Sequence, residues 1–97
     1  MVYKIKWTKT ASNNFDKVIG YLREEFSEEI AETFTSKLLS KIEVLRSMPT
    51  LGHVYKGNVR RLVIVKQCSV FYDIRKDVIA IINVFDNRQH PKRAIKK

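Results

Sequence analysis

The first residues of the chain alternate. Tyr3, Ile5 and Trp7 stand against Val2, Lys4 and Lys6, the period of two expected of a half-buried strand whose aromatic and aliphatic side faces the core. The period then lengthens. Thr8 or Thr10 is placed to cap a helix, and Ala11, Phe15, Val18, Ile19, Leu22 and Phe26 fall along one helical stripe. Ser27, with Glu28 and Glu29 behind it, reads as a second N-cap, the acids lying well against the helix dipole. Ile30, Phe34, Leu38, Ile42, Leu45 and Met48 continue an apolar stripe until Pro49 stops it. Two amphipathic helices joined this closely predict an αα-hairpin.

Residues 49–58, PTLGHVYKGN, read as a loop from their proline, their two glycines and their lack of period. Beyond them VRRLVIVK (59–66), SVFYDIR (69–75) and DVIAIINVF (77–85) are rich in Val, Ile, Phe and Tyr and predict three strands. The joints QCS and KD are short enough for hairpins, so the three strands should form an antiparallel meander. The last strand is apolar on both faces, which suits a central place with helices over one side. The expected fold is α+β in the order β-α-α-β-β-β: an N-terminal strand, an αα-hairpin and a three-stranded meander, with the helices on one face of a four-stranded, mostly antiparallel sheet. The 97 residues carry no repeat or linker and are expected to form a single domain.

Composition narrows the class. An apolar fraction of 44% supports a folded domain over a disordered one. The lone cysteine, Cys68, excludes an intramolecular disulfide and any cysteine-based metal cluster, and its place in a hairpin between polar neighbours suggests a bystander thiol. No apolar run is long enough for a membrane helix, and the N-terminus lacks the core of a signal peptide, so a soluble protein of the reducing cytoplasm is expected. The net charge of +9 is unevenly laid out. Residues 1–48 carry eight Lys/Arg against seven Asp/Glu, whereas residues 49–97 carry eleven against three. A domain polarised in this way suits nucleic acid or a strongly acidic protein as partner.

The candidate chemistry is basic. His53 and His90 are the only histidines, and no HxH, HExxH or carboxylate triad accompanies them, so no metal is expected. Neither GxGxxG nor GxxxxGK[ST] occurs, so no nucleotide cofactor is expected. Arg60 and Arg61 are neighbours on a strand and must point to opposite faces, Arg61 with Val63 and Val65, Arg60 with Leu62, Ile64 and Lys66. Either arginine can grip a phosphate or an acidic side chain, or keep a sheet edge soluble. In the tail Asp86 follows the last strand and Pro91 prevents its continuation, leaving Arg88 and His90 on a loop. His90 is a candidate proton carrier, and Asp86 and Arg88 are equally a pair that locks the chain end. Lys92 and Arg93, with Lys96 and Lys97, extend the basic end.

The element order and the run RRLVIVKQCSVFYDIRKDVIAIINVFDNRQHP together resemble the RelE/ParE superfamily of bacterial toxins. The likeness extends to Trp7 ending the first strand, Ala11 starting the first helix, Tyr21 late in it, and LRSMPTLG before the sheet. It implies a small basic toxin encoded beside an antitoxin that wraps it, and either of two targets. ParE-like members poison DNA gyrase; RelE-like members cut mRNA on the ribosome with arginines, lysines and a late basic or aromatic group. The RelE pattern is incomplete here. Where it places an arginine in the second meander strand this chain has Ser69-Val70, the arginine after the last strand would fall near Asn87 with Arg88 one step away, and no tyrosine follows Tyr72. Asp86-Asn87 stands where YoeB-like members carry a His-Tyr pair. The resemblance therefore favours ParE-like inhibition of DNA gyrase by a toxin held in complex with a cognate antitoxin. The alternatives are a RelE-like ribosome-dependent endoribonuclease, with Arg60, Arg61, Arg88 and His90 as weak catalytic candidates, and a non-catalytic basic nucleic-acid-binding module. In any of these readings Arg60, Arg61, Lys66, Arg88, Lys92 and Arg93 are the candidate contacts to a target or to the antitoxin.

Overall fold

A computed structural model describes residues 2–86, which form two helices and one five-stranded sheet. In chain order the elements are β1 (Lys4–Trp7), α1 (Lys9–Glu25), α2 (Glu28–Leu45), β2 (His53–Lys56), β3 (Val59–Val65), β4 (Cys68–Arg75) and β5 (Val78–Asp86). The sheet order is β1-β5-β4-β3-β2. β2 through β5 run antiparallel to their neighbours, while β1 lies parallel to β5 with Lys4 opposite Val78 and Trp7 opposite Ile81. The α+β class, the helical hairpin and the β3–β4–β5 meander are as the pattern predicts.

The expected four-stranded sheet is one strand short. HVYK within residues 49–58 is β2, and Gly57 and Asn58 turn it back onto β3, with Lys56 opposite Val59. Gly57 adopts φ 57°, the left-handed region that a tight two-residue hairpin demands. Two glycines around a four-residue strand were enough to mask it. The expected QCS joint also shifts: the turn falls on Lys66 and Gln67, and Cys68 opens β4 as a buried residue paired with Val65 and Asp86. Asp86 is likewise the buried last residue of β5 rather than the start of a loop.

Both predicted N-caps form. The Thr8 hydroxyl accepts from the Ala11 amide at 3.1 Å, and the Ser27 hydroxyl from the Ile30 amide at 3.1 Å. The helices then lay Ala11, Val18, Leu22, Ala31, Phe34, Leu38, Ile42 and Leu45 onto one face of the sheet, where they meet Leu62, Ile64, Val70, Tyr72, Ile79 and Ile81. Tyr3, Ile5 and Trp7 pack on the margin of this core, Trp7 against the Phe15 ring at 5.5 Å. The ends of the predicted stripes do not join it. Phe26, Ile30 and Met48 are exposed because they sit at the helix junction and beyond α2, past the edge of the sheet they would need to cover.

One connection is held with particular care. The Tyr72 hydroxyl, reaching from β4 through the core, donates to the Pro49 carbonyl at 2.7 Å and accepts from the Gly52 amide at 2.9 Å. Arg60 donates to the Gly52 carbonyl at 2.7 Å. Two side chains, through these three hydrogen bonds, thus fix residues 49–52 and set the point at which β2 enters the sheet.

Candidate interaction face

Alternation along each strand decides what lies on the sheet face turned away from the helices. With Ile5 and Trp7, Leu62 and Ile64, Val70 and Tyr72, and Ile79 and Ile81 on the helix side, the intervening residues point the other way. Lys4 and Lys6 come from β1, Ala80 from β5, and Ser69, Phe71, Asp73 and Arg75 from β4. Arg61 and Val63 come from β3, and His53 and Tyr55 from β2. Parallel pairing with β5 is what carries Lys4 and Lys6 onto this face.

The face has an ordered middle and a charged margin. Arg61 lies opposite both His53 and Phe71, and its Nε donates to the Ser69 hydroxyl at 2.9 Å. The Tyr55 ring stands edge-on to Phe71 with centroids 4.9 Å apart. Phe71 and Phe85 are buried yet lie outside the main core cluster. Asp73 is the one acid of the set and is 5% exposed. Its Oδ2 accepts from Arg75 at 3.0 and 3.1 Å, while Oδ1 is buried without a hydrogen-bond partner. Around it Lys4, Lys6 and Arg75 are exposed and Arg61 is half-buried. A partner that meets this surface must bring negative charge.

Along one margin α2 and β3 enclose an open groove of about 480 Å³, walled by Val44, Leu51 and Val63 and edged by Lys41, His53 and Arg61. A smaller cavity of about 150 Å³ lies at the end of β5, where the Asn14 side-chain amide donates to Asn83 Oδ1 at 2.6 Å beside Lys17 and Asp86.

Of the residues singled out in the sequence, Arg60 and Arg61 do point to opposite faces. Arg60 is turned to the helix side and bonded to the Gly52 carbonyl, so only Arg61 belongs to the basic face. Neither is an edge arginine, since β2 pairs alongside both. Lys66 is exposed in the turn after β3. Arg88, His90, Lys92 and Arg93 lie outside the described residues. His53, Tyr55, Lys4 and Lys6 had not been singled out for this face. A loop reading of residues 49–58 hides the first two. The signal that could have found them is the Val-Tyr pair followed by Gly-Asn, a hairpin cue. Among the described residues no group of three or more His, Cys, Asp or Glu is placed to hold a metal ion. None of the described helices is long and apolar enough to cross a membrane.

The profile of the ParE toxin of the type II toxin–antitoxin system parDE matches residues 5–91, nearly the whole chain. The chain belongs to the ParE toxin family. No curated protein sequence matches it. Among solved structures, this ParE family member is similar to a chain of the chromosomal ParDE system of P. aeruginosa, at 17% identity and a TM-score of 0.76, covering 88% of this chain and 96% of that one. It also resembles a chain of the RelBE2 toxin–antitoxin complex of Mycobacterium tuberculosis, at 14% identity and a TM-score of 0.60, covering 89% and 99%. A third likeness is to a chain of the DinJ–YafQ toxin–antitoxin complex of E. coli, at 9% identity and a TM-score of 0.64, covering 93% and 98%. At these identities the solved structures speak for the shared fold, and the family assignment rests on the profile.

Proposed function

We propose that this ParE family toxin arrests growth by binding and inhibiting DNA gyrase, and that a cognate antitoxin made beside it in the cytoplasm neutralises it as a stable complex. The toxin and its antitoxin follow from the family and from the toxin–antitoxin complexes it resembles. The choice of gyrase is carried by one observation. Arg60, half of the arginine pair that a phosphate-cutting site would draw on, is directed to the helix side and bound to the Gly52 carbonyl. What remains on the outer face is a broad basic surface with Arg61 held by Ser69, a layout suited to docking on an acidic protein surface. No covalent step is required of it, and inhibition follows from occupancy.

One observation favours the nuclease as the second reading: His53 lies opposite Arg61 on the same face, and an imidazole beside a guanidinium is the pairing that RNA cleavage uses. In that reading Arg61 and, from the tail, Arg88 would stabilise the charged phosphorane, with His53 or His90 moving the proton.

Purified toxin added to gyrase in a supercoiling assay, beside a translation reaction probed for broken mRNA, separates the two. Loss of supercoiling with intact mRNA is the expected result. Toxicity should survive both His53→Ala and His90→Ala; its abolition by either substitution, with mRNA cleaved in the parent reaction, would establish the nuclease instead.

A further inference from the structure

The outer face holds one acid among its cations, and that acid is buried. Asp73 is 5% exposed. Arg75 donates to its Oδ2 through both Nε and Nη2, at 3.1 and 3.0 Å, while Oδ1 has no partner. An ion pair formed for stability alone would not be built this way. Pairs on a surface contribute little, and a buried carboxylate oxygen without a donor is a loss that the pair has to offset. Asp73 also subtracts charge from a face that is otherwise cationic. What the arrangement achieves is direction. The Arg75 side chain is 76% exposed, yet its guanidinium is fastened along the Nε–Nη2 edge. Two of the five N–H groups of a guanidinium are committed there. The end formed by Nη1 and the second N–H of Nη2 is left open to a ligand.

The sheet register sets this fork on one bank of a shallow trough. Lys4 and Arg75 stand on either side of Val78, and Lys6 and Asp73 on either side of Ala80. With β5 between them, the banks are two strand spacings apart, roughly 10 Å. Along the floor Val78 and Ala80 rise no higher than an isopropyl and a methyl group. A partner entering the trough meets flexible lysines on one bank and a held guanidinium on the other. An ammonium follows a negative charge wherever it lies, whereas a fixed fork accepts a planar oxyanion in one orientation. A carboxylate fits that fork through both its oxygens. A nucleic-acid strand gains from each cation that it neutralises, and a buried acid in the midst of the cations takes part of that gain away. A second copy presenting the same face would set lysine against lysine.

We infer that Arg75, held by Asp73, is the orienting contact of the toxin with its target, and that it takes a carboxylate on the surface of gyrase while Lys4 and Lys6 answer neighbouring acids across the trough. This inference rests on the gyrase reading. Asp73 is then a positioning residue. It touches no partner and acts by holding the Arg75 fork in place before encounter, so that less side-chain freedom is lost on binding.

The test measures binding of the full chain to DNA-free gyrase, beside inhibition of supercoiling. Arg75→Ala and Arg75→Lys should each weaken both by about ten-fold, since lysine keeps the charge but not the fork. Lys37→Ala, which removes an exposed cation from α2, should stay within about two-fold of the parent. Asp73→Asn should weaken binding by about five-fold in the parent and by less than about two-fold in Arg75→Ala, because a residue that acts through Arg75 has nothing to position once Arg75 is gone. In NMR spectra of the free parent the Arg75 Nε–H should exchange slowly with water, and in Asp73→Asn rapidly, with the backbone amides of β4 unmoved. Should Asp73→Asn fail to fold, Arg75→Lys decides alone. Binding by Arg75→Lys equal to that of the parent, additive losses from Asp73→Asn and Arg75→Ala, or a loss seen only in binding to DNA without gyrase would each overturn the inference. A parent that leaves supercoiling intact and cuts mRNA would sink the gyrase reading and the inference with it. A parent that inhibits gyrase, with Arg75 variants inhibiting as strongly, would sink the inference alone.

Discussion

Tyr72 is the residue on which the sheet and its entering loop both depend. It is fully buried, and its hydroxyl serves as donor to Pro49 and acceptor from Gly52. Tyr72→Phe would leave a part-buried carbonyl and a buried amide unpaired, so a loss of about 1–3 kcal/mol is expected in denaturant titration. Burial raises the phenol above its ordinary 10.0, while the Gly52 amide and the Arg60 charge oppose the rise. The folded chain thus keeps this proton at a pH where the unfolded chain gives it up. The contribution is complete below about pH 10 and is lost as pH climbs through the folded value. The melting temperature of the parent should therefore fall more steeply above pH 10 than that of Tyr72→Phe. Parallel curves would show that this hydroxyl does not govern the alkaline limb. Gly52 is fixed by the same contact, since a Cβ there would sit 2.8 Å from the Arg61 carbonyl and from the Tyr72 ring and hydroxyl. Gly52→Ala should cost about 1–3 kcal/mol through forced displacement of backbone, read as a lower denaturant midpoint at constant slope.

At the scale of elements, the corner between β1 and α1 carries more than a cap. The Thr8 hydroxyl accepts from Ala11 and donates to the Ile81 carbonyl at 2.9 Å, and the Thr8 amide reaches the same carbonyl at 3.1 Å. The helix start is therefore fastened to the last strand, across 73 residues of sequence. Thr8→Ala should destabilise by about 1–2 kcal/mol, the upper part of the range for a lost cap, whereas Ser27→Ala, whose cap serves the exposed start of α2, should lose less. Equal losses in thermal unfolding would show that the link to β5 adds nothing. The caps, the helical stripes and the meander could be read from sequence because each is a local periodicity with its own start and stop signals. β2 shows no such period, because four residues between two glycines are too short for one, and its trace in the sequence is the Gly-Asn hairpin cue alone. The parallel partner of β1 was also hidden: pairing across more than seventy positions leaves no local trace, and KIKW looks the same beside any neighbour.

The whole molecule is asymmetric in a way that counting charges along the chain only half captures. Dividing the sequence at its middle places the cationic excess in the second half, yet the basic face also draws on Lys4 and Lys6, which the fold brings beside β5. Arg60, which counts toward that excess, is turned away from the face. Strand alternation made the opposed directions of Arg60 and Arg61 legible, but which side the helices would cover was not. The tail residues Arg88, His90, Lys92 and Arg93 stand outside the described residues, so their part in the site remains a sequence-based expectation. If the face docks on gyrase through charge, its exposed rim must matter more for encounter than for fold. Lys4→Glu combined with Lys6→Glu should raise the toxin concentration needed for half-inhibition of supercoiling by about ten-fold, with the melting temperature held. Salt should act in the same direction on the parent, because charges separated by more than about 8 Å are largely screened at physiological ionic strength. The double variant, having lost two of the rim cations, should respond less to added salt. Were inhibition by the parent and the variant to weaken equally with salt, the encounter would have to proceed through some other part of the surface.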